Sequence, residues 1–207
     1  MRVRVKVCGI TNLADAMACV EAGADALGFI FFEKSPRFIS PSRAKEVIAG
    51  LPPFVSAVGV FVNEKPETVR EIVDTCGLDL VQLHGDEGPD MCRLFIGKAI
   101  KAFRVRDEEV LEQIERFAPS VKAILLDAWS RKGYGGTGET FDWGLARKVV
   151  QISQVPVILA GGLNCDNISD AVEQVSPYGV DVSSGLERVP GEKDHFLVRK
   201  FFEKIKR

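Results

Sequence analysis

The chain has 207 residues, 46% of them hydrophobic, and a formal net charge of −2. That length and apolar content suit a folded chain with a sizeable core and exclude intrinsic disorder. Charges of both signs are spread along it, which leaves no electrostatic footprint for nucleic acid or an anionic membrane. Residues 1–7 alternate charge with valine, unlike the apolar centre of a signal peptide, and no apolar run approaches the roughly 18 residues of a membrane span. A soluble, cytoplasmic protein is expected.

In chain order, runs rich in Val, Ile, Leu and Phe predict strands at 3–8, 25–31, 54–62, 79–83, 99–105, 121–127, 156–160 and 180–183. Most are continuous apolar runs, as in strands buried on both faces. Apolar residues recurring at i, i+3 and i+4 predict helices over 13–22, 42–50, 67–76, 108–117, 143–150, 167–175 and 194–205. The stretch 86–94 carries the weakest helical pattern. Asn12, Ser40 before Pro41, Asp107, Asn164 and Asp194 stand where helices should begin, and Gly23 and Gly77 where they should stop. Strict strand–helix alternation implies a parallel sheet with right-handed crossovers. Eight units of about 25 residues favour closure over an open doubly wound sheet. The expected fold class is α/β, a (β/α)8 TIM barrel forming a single catalytic domain over residues 1–207.

In such folds functional residues stand at the carboxyl ends of strands and in the loops that follow. The first run ends in Cys8-Gly9-Ile10-Thr11-Asn12, the second leads into Lys34-Ser35-Pro36-Arg37, and the fourth ends in Gln82-Leu83-His84-Gly85. The sixth ends at Asp127, and the last two run into Gly161-Gly162 and Ser183-Ser184-Gly185. These last two turns suit a phosphate. Glycines let backbone N–H groups approach an anion, a following helix N-terminus adds a favourable dipole, and adjacent final strands are where a barrel keeps its phosphate site. Gly161, Gly162, Ser183, Ser184 and Gly185 are therefore the expected phosphate ligands, with simple tight turns as the alternative.

Gly133-Tyr-Gly135-Gly136-Thr137-Gly138 fits the G-x-G-x-x-G pattern. Its glycines start six positions after Asp127, however, and 153–159 holds no acid to bind a ribose. A lid beside the rim fits better than a dinucleotide site. The five cysteines (Cys8, Cys19, Cys76, Cys92, Cys165) lack zinc spacing, and their odd number argues against a disulfide framework. Buried thiols are expected for all but Cys8.

Cys8 and Asp127 are the candidates for chemistry. A thiol at a strand end followed by glycine faces a pocket. The first and sixth strands are far enough apart around a barrel to reach one small ligand from two sides, as a general base and a general acid must. Strand alternation puts Arg4, Lys6 and Cys8 on one face. Lys6, one layer below Cys8, would favour the thiolate and lower the cysteine pKa. It would itself need a carboxylate, for which Asp181 on the eighth strand is the neighbour. The alternative is that Arg4 and Lys6 decorate a solvated strand.

Further motifs run in the same order along the chain. They are Lys6-Val-Cys-Gly-Ile-Thr-Asn12, Gly28-Phe-Ile-Phe31, Lys34-Ser-Pro-Arg-Phe-Ile-Ser-Pro41, Val58-Gly-Val-Phe-Val-Asn63, Val81-Gln-Leu-His-Gly85, Leu126-Asp127, Leu159-Ala-Gly-Gly-Leu-Asn164 and Gly179-Val-Asp-Val-Ser-Ser-Gly185, with Gly135-Gly-Thr-Gly138 and Phe141-Asp-Trp143 between. Together they resemble the phosphoribosylanthranilate isomerase family. The resemblance implies a cofactor-free Amadori rearrangement of N-(5′-phosphoribosyl)anthranilate to 1-(2-carboxyphenylamino)-1-deoxyribulose 5-phosphate in tryptophan biosynthesis, with no metal. It implies Cys8 as general base, Asp127 as general acid and Arg37 as the residue holding the anthranilate carboxylate, a task suited to a guanidinium fork. Gln82, His84 and Asp181, on the same rim, complete the expected substrate contacts.

Two residues depart from the family's pattern: Cys165, where proline is common, and Glu192, where lysine is frequent. The first bears on the entry to the seventh helix, the second on charge near the phosphate loop. The expected partner is a small phosphosugar, without nucleic acid or membrane, for a monomer or homodimer. A rival barrel such as a pentose-phosphate epimerase would want paired acids or a metal on the rim and would have no use for Cys8. A non-catalytic phosphosugar-binding barrel would keep the glycine turns and lose the acid–base pair.

Overall fold

A computed structural model describes residues 2–128 and 143–205, so the glycine-rich segment 133–138 lies outside the described residues. Eight parallel strands close into a barrel in sequence order. They are β1 (Arg4–Cys8), β2 (Ala26–Ile30), β3 (Ser56–Phe61), β4 (Leu80–Leu83), β5 (Ala99–Val105), β6 (Ala123–Ala128), β7 (Val157–Leu159) and β8 (Gly179–Val182). The helices are α1 (Leu13–Ala22), α2 (Pro41–Ala49), α3 (Pro66–Cys76), α4 (Pro89–Arg93), α5 (Glu109–Phe117), α6 (Trp143–Ile152), α7 (Ile168–Val175) and α8 (His195–Ile205). Pairing of β8 back onto β1 closes the sheet, which is the barrel and not the open alternative.

Local chemistry sets the helix ends. The Asn12 side chain accepts from the Asp15 amide and that of Ser40 from the Arg43 amide, with Pro41 fixing the first turn of α2. Asp194 accepts from the amides of Phe196 and Leu197. Gly23 and Gly77 end α1 and α3 in the left-handed conformation.

Some elements differ from their sequence expectation. The weak helix at 86–94 shrinks to α4. α7 starts only at Ile168, because Asn164 and Asn167 build the preceding turn. The Asn164 amide donates to Asn167 Oδ1 at 2.9 Å, and the Asp166 amide to Asn164 Oδ1 at 2.8 Å. Side-chain amides thus hold the entry where the family's proline is missing, and Cys165 is buried there. β3 begins at Ser56, since Phe54 has a left-handed φ of 70° and its ring is fully exposed. An antiparallel hairpin, β9 (Glu187–Val189) and β10 (Glu192–Lys193), is inserted between β8 and α8.

Two apolar layers hold the barrel. The larger lies between sheet and helices and includes Leu27, Phe29, Phe61, Leu126, Leu159 and Phe201. The smaller fills the barrel interior with Val58, Ile100, Ala102, Ala123, Leu125 and Ala160. Successive strand residues alternate between these faces. The parity that sends Ala123 and Leu125 inward also sends Asp127 inward. The same alternation puts Lys6 below Cys8 and brings Gln82 and Asp181 to the carboxyl end of the barrel. Among the described residues no helix is long and apolar enough to cross a membrane.

Candidate active site

One cavity at the carboxyl ends of the strands is lined by Cys8, Arg37, Gln82, His84, Asp127 and Asp181, with Gly161, Gly162, Ser183 and Ser184 at one side. Ile30, Phe32, Val60, Val62, Ala160 and Leu163 give it apolar walls. Of the residues expected at the site, Gly185 is not on this lining. A Cβ there would meet the Leu163 carbonyl oxygen at 2.0 Å, so its missing side chain lets the last loop pack on the one before it.

Cys8 is buried, and below it Lys6 Nζ donates to Asp181 Oδ2 at 2.9 Å, with both residues buried. The register that closes the barrel sets Lys6 opposite Asp181. Arg4, by contrast, is exposed and pairs with Asp25, so the solvated-strand alternative holds for Arg4 and fails for Lys6. A Cβ on Gly28 would lie 2.7 Å from Cys8 Sγ and 3.0 Å from Lys6 Nζ. Glycine on β2 makes the room in which thiol and ammonium meet.

Burial pushes the Cys8 thiol up, the Lys6 ammonium pulls it down, and burial prevails, leaving it above the ordinary thiol value. This corrects the expectation of a lowered thiol. Lys6 acts in the anticipated direction but does not offset the cost of burying a thiolate. Burial likewise opposes the charge on Lys6, yet Asp181 and Cys8 outweigh it and hold the ammonium above its ordinary value.

Asp127 is buried at the end of the inward row of β6. His84 Nε2 lies 3.2 Å from Asp127 Oδ2, and Gln82 Nε2 lies 2.8 Å from His84 Nδ1. An amide nitrogen only donates, so Nδ1 accepts and the ring proton sits on Nε2, donated to Asp127 Oδ2. A proton carried by Asp127 therefore stands on Oδ1. Behind this group, buried Lys101 donates to the Gly85 carbonyl at 2.7 Å and to Glu87 Oε2 at 2.8 Å, which pins the loop that follows His84. Among the described residues two buried side-chain polar atoms lack a hydrogen-bond partner, Gln82 Oε1 and Asp181 Oδ1. A buried unsatisfied acceptor costs about 1–3 kcal/mol. Both residues line the cavity.

On the other side, Arg37 donates from Nε and Nη2 to the Glu187 carboxylate, at 2.9 Å to Oε1 and 2.7 Å to Oε2. Gly9, with φ 81°, allows this, because a Cβ there would meet Arg37 Cδ at 2.7 Å. Lys193 Nζ donates to Glu187 Oε1 at 2.8 Å and to the Cys8 carbonyl at 2.7 Å. Sequence reasoning singled out neither Glu187 nor Lys193. The available signal was Pro190-Gly191, a turn pair between two short charged runs. Glu192, the other departure from the family's pattern, pairs with Arg188 within the hairpin. Gly161 and Gly162 both have positive φ, and the side-chain amides of Asn164 and Asn167 take up the Gly162 carbonyl at 3.2 and 3.0 Å.

The family model for N-(5'phosphoribosyl)anthranilate (PRA) isomerase matches residues 5–204. An N-(5'-phosphoribosyl)anthranilate isomerase of Geobacter metallireducens is 55% identical over 204 residues, which cover 99% of this chain and 99% of that protein. The crystal structure of phosphoribosyl anthranilate isomerase from Thermotoga maritima superposes with a TM-score of 0.91 at 43% identity, covering 99% of this chain and 98% of that one. A phosphoribosyl anthranilate isomerase crystallised with reduced 1-(o-carboxyphenylamino)-1-deoxyribulose 5-phosphate superposes with a TM-score of 0.88 at 42% identity, with coverage of 99% and 98%. The match runs from the first strand of the barrel into its last helix and takes in every residue of the cavity, so this chain belongs to the N-(5'-phosphoribosyl)anthranilate isomerase family.

Proposed function

We propose that the chain rearranges N-(5′-phosphoribosyl)anthranilate to 1-(2-carboxyphenylamino)-1-deoxyribulose 5-phosphate with Cys8 as general base and Asp127 as general acid. The observation that carries this reading is a buried thiol and a buried carboxyl on one cavity, with β7 and β8 between their strands.

Asp127 donates its Oδ1 proton to the furanose ring oxygen. The C1′–O bond breaks as the anilino nitrogen's lone pair forms a C1′=N iminium. Cys8, as thiolate, removes the C2′ proton, and the electron pair released forms the C1′=C2′ bond and neutralises the iminium. The resulting enolamine becomes the ketone when C1′ gains a proton and the C2′ hydroxyl loses one, so the proton balance closes without a redox step. The cationic iminium beside Cys8 counteracts the burial that holds the thiol up, so the thiolate is favoured once the ring has opened. Gln82 and Asp181 face the sugar from the cavity wall, and His84, also on that wall, fixes the orientation of the Asp127 carboxyl. Gly161, Gly162, Ser183 and Ser184 hold the phosphate through backbone N–H groups and hydroxyls, with Gly185 supporting their turn. Arg37 takes the anthranilate carboxylate. Five free cysteines fit a cytoplasmic, reducing setting.

Cys8 must lose a proton to act, and its folded value lies above the ordinary one. Asp127 must carry a proton at the same time, so the expected result is a kcat/KM that is bell-shaped in pH, with the limb set by Cys8 displaced to higher pH. Lys6→Met removes a cation that pulls the thiol down, so the limb set by Cys8 should move up by about one pH unit or more. A pH–rate profile that does not move contradicts the role given to Lys6.

The function itself is tested by complementation. The chain should restore growth without tryptophan to a bacterium deleted for its own isomerase, and a Cys8→Ala/Asp127→Asn chain should not. Failure of the well-expressed native chain to complement would overturn the reading.

A further inference from the structure

Glu187 and Lys193 take no part in the reaction as described, yet their side chains are 4% and 0% exposed, and Glu187 pairs with Arg37 on the cavity wall. Burying such groups is costly unless each is paired. Together with Arg37 they form a cluster of two positive charges and one negative, which leaves one positive charge unmatched within it.

The geometry says where that charge is offered. A guanidinium has two edges able to grip a carboxylate. Glu187 occupies the side-on edge, Nε with Nη2. Among the described residues no hydrogen bond reaches Nη1, and Arg37 lines the cavity.

Glu187 is anchored from behind and does not act as a displaceable gate. Lys193 grips its Oε1 and also donates to the carbonyls of Cys8, at 2.7 Å, and Ser183, at 3.3 Å. The Lys193 backbone amide donates to Asp15 Oδ2 at 2.8 Å, which ties the hairpin to α1. Burial pushes the Glu187 carboxyl up, but Arg37 and Lys193 outweigh it and hold it below its ordinary value, so it stays ionised.

We propose that Glu187 is a positioning residue for substrate selection: braced by Lys193, it fixes Arg37 side-on so that the free edge of the guanidinium meets the aryl carboxylate. The inference rests on the assignment of Arg37 to that carboxylate. It makes the β9–β10 hairpin part of the machinery that favours an ortho-carboxylated aryl amine over one without the carboxylate.

The test compares two substrates, N-(5′-phosphoribosyl)anthranilate and the analogue made from aniline, by product formation with wild type, Arg37→Met, Glu187→Gln and the double variant. Glu187→Gln should raise KM for the anthranilate substrate about tenfold, as loss of a charge-assisted pair does, with kcat within about twofold. It should leave KM for the aniline analogue unchanged, and the double variant should be no worse than Arg37→Met alone. If Arg37→Met discriminates between the substrates while Glu187→Gln changes neither, the Arg37 assignment stands and the Glu187 proposal falls. Equal loss on both substrates in Glu187→Gln, or a fall in kcat with KM intact, assigns Glu187 to the fold alone and also overturns it. Equal loss on both in Arg37→Met refutes the assignment of Arg37 and the proposal with it. Glu187→Asp keeps the charge at shorter reach and carries the same comparison if the glutamine variant does not fold, as judged by thermal unfolding.

Discussion

Exchange of Asp127 for asparagine is expected to lower kcat about a thousandfold while KM moves by less than about threefold. Asparagine has nearly the shape of aspartate, and its carbonyl oxygen still accepts from His84 Nε2, which lies 3.2 Å from Asp127 Oδ2. What disappears is the proton on the other carboxyl oxygen. Without it, opening of the furanose ring falls to water, which the buried position of Asp127 keeps at a distance. Steady-state kinetics at neutral pH separate the two quantities. A large rise in KM with kcat preserved would place Asp127 in binding and not in proton transfer.

A loss of similar size is expected when Cys8 becomes alanine, about a thousandfold in kcat. Cys8→Ser should fare little better, because a hydroxyl is a far weaker acid than a thiol and burial disfavours its anion further. The cost in stability should be small, about 1 kcal/mol for the sulfur-sized void, since Lys6 keeps its pairing with Asp181. Binding of a stable product analogue should persist in both variants. If Cys8→Ala kept more than about a tenth of wild-type kcat, the base would have to be sought elsewhere on the rim.

The barrel was legible in the sequence because its strands are buried on both faces, so they stand out as continuous Val/Ile/Leu/Phe runs punctuated by caps such as Asn12 and Ser40. The period of two then determines which side chains enter the barrel. That is why Lys6 opposite Asp181, and Asp127 at the mouth, were readable without coordinates. The hairpin was not readable. Glu187 to Lys193 is short and highly charged, with no apolar alternation to mark strands. Its function lies in a contact between Arg37 and Glu187, 150 residues apart, which no local pattern reports.

The thiol of Cys8 shows a second kind of gap. Neighbouring charges can be listed from a sequence, but the depth of burial that outweighs them cannot. The chain from Gln82 through His84 to Asp127 depends in the same way on which nitrogen faces which oxygen. Gly185, expected at the phosphate with its neighbours, also packs against the Leu163 carbonyl. Backbone proximity to a ligand and to another loop leave the same mark in sequence. The proposed lid at 133–138 lies outside the described residues.

The proposed mechanism pairs a buried thiol with a buried carboxyl. The most direct measurement is the fluorescence decay of freshly generated N-(5′-phosphoribosyl)anthranilate with wild type, Cys8→Ser and Asp127→Asn side by side. Rapid consumption by wild type, slowed about a hundredfold or more in each variant, is the predicted result. A folded wild-type chain that binds the phosphosugar without consuming it, or variants that consume it as fast as wild type, would contradict that pairing.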